Sequence, residues 1–317
     1  MGFLFVQEKV RKLIEKYGIP GRDLYELPTS TKRFPDGCNF RLEISGVETP
    51  STLRALVDEM EKRDVRIHRI ISTVQGSTLL SDDEMHEFAK IARQAKLETI
   101  ITPGPRRGWD LGAQYRTQEG MKCGGRIRGS DNTRYLIADI MRAVSFGFRA
   151  FLIWDEGLLW LCNEMRKAGD LPKDVLFKVS VYAGHANPAG ARVLQMLGAN
   201  SFNPVGDLTL PMLAAVRKAV DIPLDIYAYV FDSFGGMNRF WESPEITRVA
   251  SPCYFKIEPG ESEDAIYNPW TSEDFNEKFI RRKVKFAETI THIINESYPE
   301  ARTSDIGAKD LAVPNPK

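Results

Sequence analysis

Seven side chains of catalytic type fall where a β-strand is ending or has just ended: Glu43, Asp155, His185, Asn203, Asp232, Lys256 and Glu258. Carboxylates and an imidazole can pass protons to and from a substrate. A lysine shielded from water can lose its proton and attack a carbonyl carbon, the first step of Schiff-base lyase chemistry; kept charged, it can hold a substrate carboxylate or phosphate instead. Glu43 and Glu258 beside Lys256 favour the charged form, because neighbouring negative charge raises a lysine's pKa. Of the four histidines, His68 opens a strand and His86 and His292 lie on helices, which are structural positions, whereas His185 stands in a strand-end loop with Asp155 or Glu156 as its acid/base partner. A divalent metal on Asp155 or Glu156, His185 and Glu258 stays open by donor type, although no HxH or HxxE spacing supports it.

Two loops add binding groups. FDSFGG supplies Asp232, with Gly235 and Gly236 free to bring backbone N–H groups close to an anion. The long segment 103–132 carries Arg106, Arg107, Arg116, Arg126 and Arg128 among glycines, so it reads either as a lid that hydrogen-bonds an anionic ligand or as a solvated insertion.

The elements that must position these groups alternate along the chain. Short β-branched runs at 39–45, 68–73, 98–102, 150–154, 176–182, 200–204, 224–230 and 253–258 are separated by segments of helical periodicity at 51–63, 82–95, 133–146, 158–167, 188–197, 210–220, 244–249 and 273–296. Ser81 with Glu84 three residues on, and Asn187 before Pro188, are helix-start signals. Eight such units predict an α/β fold of the closed (βα)8 TIM-barrel class rather than an open doubly wound sheet. Residues 1–36 form an N-terminal helix (6–17) and connector, 37–297 the barrel, and 298–317 a tail or a strap across it.

Strand parity then sorts depth. With Phe177, Val179 and Val181 packing outward, Lys178, Ser180 and Tyr182 face the barrel interior; by the same rule so do Arg41, Glu43 and Ser45, then Asp225, Tyr227 and Tyr229, then Tyr254, Lys256 and Glu258. A buried ion costs several kcal/mol unless paired. Arg41, Lys178 and Asp225, near the strand starts, are therefore expected in ion-pair networks, and Glu43, Lys256 and Glu258, near the ends, in substrate contact.

Composition removes several classes. With 43 basic and 43 acidic residues the net charge is zero, which argues against a general nucleic-acid binder. Cys38, Cys123, Cys162 and Cys253 contain no CxxC pair and read as reduced thiols of a cytoplasmic protein. No apolar run reaches the ~20 residues that span a bilayer, and the first residues lack the pattern of a secretory signal, so no membrane insertion is expected.

The segment YFKIEPG (254–260) resembles the LKIEGR signature of the collagenase-like peptidase family (peptidase U32), and LGANSFNPVGDLTLPMLAAVRKAVDIPLDIY resembles that family's strand, loop and helix repeat; the likeness covers roughly residues 180–260. It implies a barrel with a hydrolase label, Lys256 and Glu258 being the matching positions. Pro259 and Gly260 stand where the family has glycine and arginine, so that arginine's anion contact is missing. Relatives that hold an iron–sulfur cluster use four patterned cysteines, and only Cys253 is near the relevant end, so a cluster is not expected.

The combined expectation is a barrel enzyme acting on a small-molecule or peptide substrate, anionic in character. His185, Asp155, Glu156, Lys256 and Glu258 are its catalytic candidates, and Glu43, Arg106, Arg107, Arg126, Arg128, Asn203, Asp232, Gly235 and Gly236 its binding candidates. A lyase, aldolase or isomerase of small anionic carbonyl compounds, and a non-catalytic ligand-binding barrel, are the alternatives. Homo-oligomerisation stays open.

Overall fold

The computed structural model describes residues 3–106, 117, 120, 125–262 and 272–315. Helices start where the sequence offers a cap. Ser81 accepts from Glu84 N–H while Glu84 reaches back, the reciprocal box that opens α3 (Asp82–Gln94). The same device, built from Thr49 and Thr52 with Pro50 at the first position, opens α2 (Pro50–Arg63) one residue before the sequence placed it. Asp155 and Asn187 cap α5 (Glu156–Ala168) and α6 (Pro188–Met196). The remaining helices are α1 (Phe3–Glu15), α4 (Gly129–Ser145), α7 (Leu210–Ala219), α8 (Ser243–Ala250) and α9 (Glu273–Ser297).

The strands are β1 (Phe40–Ser45), β2 (Arg69–Ser72), β3 (Glu98–Ile101), β4 (Ala150–Ile153), β5 (Leu176–Val179), β6 (Ser201–Phe202), β7 (Leu224–Val230), β8 (Met237–Asn238) and β9 (Cys253–Ile257). Parallel pairing runs β1 through β7 in order, then to β9 and back to β1, so the sheet closes on itself as an eight-stranded parallel barrel; β8 is a short antiparallel addition to β7. The crossover helices ring it, α9 packing heavily on α2, and the outward strand residues Phe40, Leu42, Ile44, Phe151, Ile153, Phe177 and Val179 join the helices in one apolar core.

Inside the barrel the lining divides. Ile71, Ile100, Ala150 and Leu152 form a small apolar cluster from β2 to β4, while charged or hydroxyl side chains come from β1, β5, β7 and β9 and, at the first residues of β2 and β3, from Arg69 and Glu98. Parity holds except at Tyr229. A register shift between Tyr227 and Tyr229 on β7 turns Tyr229 away from the interior, and its ring packs 4.8 Å from Phe286 of α9.

Residues 302–315 form the strap. They cross the amino-terminal mouth, where Arg302 O accepts Asn39 N–H at 2.7 Å, Arg41 binds Ser304 Oγ at 2.8 Å and both Asp310 oxygens at 2.8 Å, and Asn315 N–H reaches Gly147 O at 3.0 Å. His68 is structural as read, accepting Leu42 N–H at 3.1 Å and meeting Ser304 O at 2.8 Å. Among the described residues no helix is long and apolar enough to cross a membrane.

Candidate active site

The deepest part of the site is a four-charge network. Arg69 of β2 donates to Glu43 of β1 and Asp225 of β7, and stacks 3.4 Å over the Tyr254 ring. Lys178 of β5 lies 2.5 Å from Asp225 and 3.1 Å from Glu43. Two cations thus match two carboxylates, all essentially excluded from water. Burial alone would raise Glu43, but Arg69, Lys178 and Lys256 outweigh it and hold the carboxyl at about 2.

Lys256 of β9 is a third cation in a network already balanced. Its ion-pair contact among the described residues is Glu43 Oε1 at 3.5 Å, and its ammonium lies 5.2 Å from the Tyr227 ring centre. Burial and repulsion from Lys178 lower its pKa to about 7, against the pull of Glu43 and Asp225. This is opposite to the sign expected from Glu43 and Glu258 alone: burial outweighs the carboxylates, and Lys178 and Arg69, which pair with the same carboxylates, add repulsion.

Above Lys256 lies a cleft at the carboxyl ends of the strands, lined by Ser45, Glu48, Thr102, Arg106, Ser180, Tyr182, Tyr227, Phe234 and Glu258. It has room of about 30 Å³, enough for a water or two. Glu258 Oε2 accepts Phe231 N–H at 2.6 Å, while Oε1 has no partner; burial pushes this carboxyl up to about 7 despite that bond. Glu48 accepts Val74 N–H at 2.8 Å and is likewise raised by burial to about 7. Behind the wall, Lys283 of α9 ties Ser45 O (2.8 Å) to Pro259 O, and burial lowers it to about 7.

Unsatisfied polarity collects here. Among the described residues ten buried side-chain polar atoms lack a hydrogen-bond partner, and those of Ser45, Ser72, Thr102, Asn203 and Glu258 are all at carboxyl ends of strands. Such atoms are costly unless something else binds them.

The other expected residues form a separate group. His185 Nε2 meets Glu156 Oε1 at 2.6 Å, and Arg126 also binds Glu156; burial raises the Glu156 carboxyl, but the Arg126 and His185 hydrogen bonds bring it below its ordinary value. Asp155 Oδ1 is engaged as a cap, accepting Gly157 and Leu158 N–H at 2.9 and 3.1 Å. Trp154 lies between the groups: Arg106 stacks over it at 5.2 Å and over Tyr182 at 4.6 Å, and Arg126 donates to its carbonyl at 3.4 Å. Asn203 Nδ2 donates to Asp225 O at 2.7 Å.

Asp232 heads the one-turn helix Ser233–Gly235 and its charge contributes to raising Glu258. Gly236 has φ +70, and a Cβ there would stand 2.6 Å from Phe231 O. Arg128 is the residue before α4, and Arg107 and Arg116 lie outside the described residues. Glu258 does not join Glu156 and His185: among the described residues no three His, Cys, Asp or Glu side chains gather as a metal would require.

Sequence reasoning missed Arg69, Glu48 and Lys283. Arg69 was within reach, since it shares parity with Ile71. Glu48 follows the first strand directly, the position from which the other strand-end groups were chosen. Lys283 is one of several lysines and arginines on a long helix and carries no signal.

No family model matches the chain, and no curated protein matches it. Solved structures similar to it include the YdjI aldolase from Escherichia coli K12 (14% identity, 83% of this chain and 94% of that one, TM-score 0.46). D-psicose 3-epimerase from Clostridium cellulolyticum H10 is similar at 10% identity, over 80% and 99%, with TM-score 0.45. The U32 peptidase Mk0906 is similar at 12% identity, over 91% and 92%, with TM-score 0.40.

Proposed function

We propose that this chain is a lyase-type barrel enzyme in which Lys256 is the nucleophile toward a small, hydroxylated, anionic carbonyl compound. The observation that supports it is the position of Lys256 as a third buried cation beside two matched pairs, facing the cleft. A lysine held near neutrality supplies the free amine that attacks a carbonyl carbon. The carbinolamine then loses water, and the protonated imine draws in the electron pair of the bond broken next to it. Glu258, raised to about 7, is poised to give the proton that carbinolamine dehydration needs and to take one in the following step. Ser45 and Thr102 hydroxyls meet substrate hydroxyls, and Arg106 at the lip meets a carboxylate or phosphate. Phe234 must swing from Tyr182, its ring neighbour at 5.7 Å, to admit anything larger than water.

Borohydride reduction in the presence of pyruvate, dihydroxyacetone phosphate and glyceraldehyde tests the reading. A reduced adduct is expected on the peptide holding Lys256 and none in Lys256→Met; absence of any adduct across a wider carbonyl panel overturns it. The hydrolase reading implied by YFKIEPG has one observation of its own, the 2.6 Å His185–Glu156 hydrogen bond, an acid/base pair whose other ring nitrogen, Nδ1, lies beside Gly190. Peptide cleavage lost in His185→Ala and retained in Lys256→Met would select it.

A further inference from the structure

The helix α1 is at odds with its surroundings. None of its residues is buried; Arg11 lies close against Gly21 of the connector, and a helix of 13 residues with so little tertiary cover is marginal in water. Its exposed apolar residues Phe3, Val6, Val10, Leu13 and the following Tyr17 fall at alternating spacings of three and four, one stripe along the helix. At the tip, Phe3 is 91% and Leu4 83% exposed, and successive side chains diverge by about 100°.

Charge is arranged around that stripe. Lys9, Lys12 and Lys16 follow one another down one flank, whereas Glu8 and Glu15 lie on the face away from the stripe, where they pair with Arg11 at 2.7 and 3.9 Å and Glu8 also meets Lys12 at 3.9 Å. We infer that α1 lies in the plane of an anionic lipid surface, its stripe in the acyl boundary and its lysine flank at the headgroups. Lysine stems can bury along apolar surface while their ammonium groups reach anionic headgroups. Self-pairing fits the pattern poorly. An antiparallel copy would set the lysine flanks against each other, and a parallel copy would set Lys9 against Ile14. A helix groove also covers a single stripe, while Phe3, Leu4 and Phe5 point three ways. The helix is held at its far end, where Arg192 of α6 donates to Gly18 O at 3.4 Å.

Flotation of the full chain with vesicles tests this. Binding is expected to an equal mixture of phosphatidylcholine and phosphatidylglycerol, to weaken as salt is added, and to be absent with phosphatidylcholine alone. Lys9→Gln/Lys12→Gln/Lys16→Gln is expected to bind roughly a hundredfold more weakly, and Phe3→Ser/Leu13→Ser to lose binding. Both variants should unfold at the same urea midpoint as the unaltered chain, since neither touches a buried residue. Equal binding to both vesicle types, or none to either, overturns the inference. So does a dimer in sedimentation velocity that Phe3→Ser/Leu13→Ser dissolves while vesicles bind nothing, which would assign the face to a second copy.

Discussion

The two mouths of the barrel hold comparable polarity but treat it differently. At the amino-terminal mouth a cavity of about 350 Å³ is bordered by Arg69, Glu98, Lys178, Ser201, Tyr254 and Asp310, yet none of the buried polar side-chain atoms in its lining lacks a partner. The cleft at the carboxyl mouth is far smaller, and Ser45, Thr102 and Glu258 each present an unpartnered atom to it. Volume and unpaired polarity therefore mark opposite ends. Polar atoms that the fold has paired with each other are spent on holding strands in place, whereas those left unpaired gain most from a ligand. The network around Arg69 divides the two: within it Arg69 and Lys178 match Glu43 and Asp225, below it Glu98 is held by the Tyr254 hydroxyl and Ala312 N–H, and above it Lys256 has no carboxylate of its own.

The largest expected effect comes from removing that divider. Arg69→Met strips Glu43 and Asp225 of their shared partner and leaves negative charge buried in excess, at a cost of about 3–5 kcal/mol by urea denaturation. The same substitution leaves Lys256 facing uncompensated carboxylates, so its pKa should rise and any amine-dependent turnover should require higher pH. A loss below about 1 kcal/mol would show that the network does not carry the amino-terminal half.

Lys256→Met asks the opposite question of the carboxyl half. It removes a cation that burial disfavours, so stability at pH 7 should change by no more than about 1–2 kcal/mol, in either direction. The borohydride adduct should vanish altogether. Destabilisation as large as that of Arg69→Met would mean that Lys256 is a fifth member of the structural network.

Acidity separates the charge network from the cleft above it. Glu258 titrates near 4.5 when unfolded and at about 7 when folded, so the folded state holds the proton longer. Stability contributed by the protonated carboxyl is fully present below pH 4.5 and is lost as pH rises through 7. Lys256 runs the other way: its folded pKa of about 7 lies below the ordinary 10.5, so its contribution is present above 10.5 and is lost as pH falls through 7. Both penalties meet near neutrality, where the proposed chemistry needs a free amine beside a carboxylic acid. Glu43, held at about 2, gives stability that is present above 4.5 and disappears only in strong acid. Glu258→Gln should remove the loss between pH 4.5 and 7, a difference on the order of 2 kcal/mol in urea midpoints followed across that window. Parallel pH profiles for variant and unaltered chain would break the distinction.

The barrel was legible because periodicity is a local property: each of the eight barrel strands and its crossover helix announces itself within about ten residues, though the short β8 does not, and Ser81, Asn187 and Pro188 mark their helix starts where the structure has them. Parity carried Arg41, Lys178, Asp225, Lys256 and Glu258 to the interior correctly. It failed at Tyr229, since a bulge is one residue of slip that no alternation reveals. The protonation of Lys256 was out of reach because it depends on how completely the cleft buries the amine and on Lys178 and Arg69 arriving from two other strands. Likewise, the separation of His185 and Glu156 from Glu258 follows from where β4, β5 and β9 stand around the ring, which loop position alone does not encode.

The smallest predicted effect tests the strap. Arg41 is buried, and its guanidinium is forked on both oxygens of Asp310, a carboxylate that is itself 30% exposed. Asp310→Asn keeps one acceptor and leaves Ser304 Oγ and the Tyr254 hydroxyl in place, so the cost should be about 1 kcal/mol in a urea melt. Nothing in this contact reaches the carboxyl mouth, and the pH dependence of adduct formation at Lys256 should be unchanged. If that profile moved, charge at the strap would be felt through Arg41 and Tyr254 as far as Arg69, and the two mouths would be one electrostatic unit rather than two.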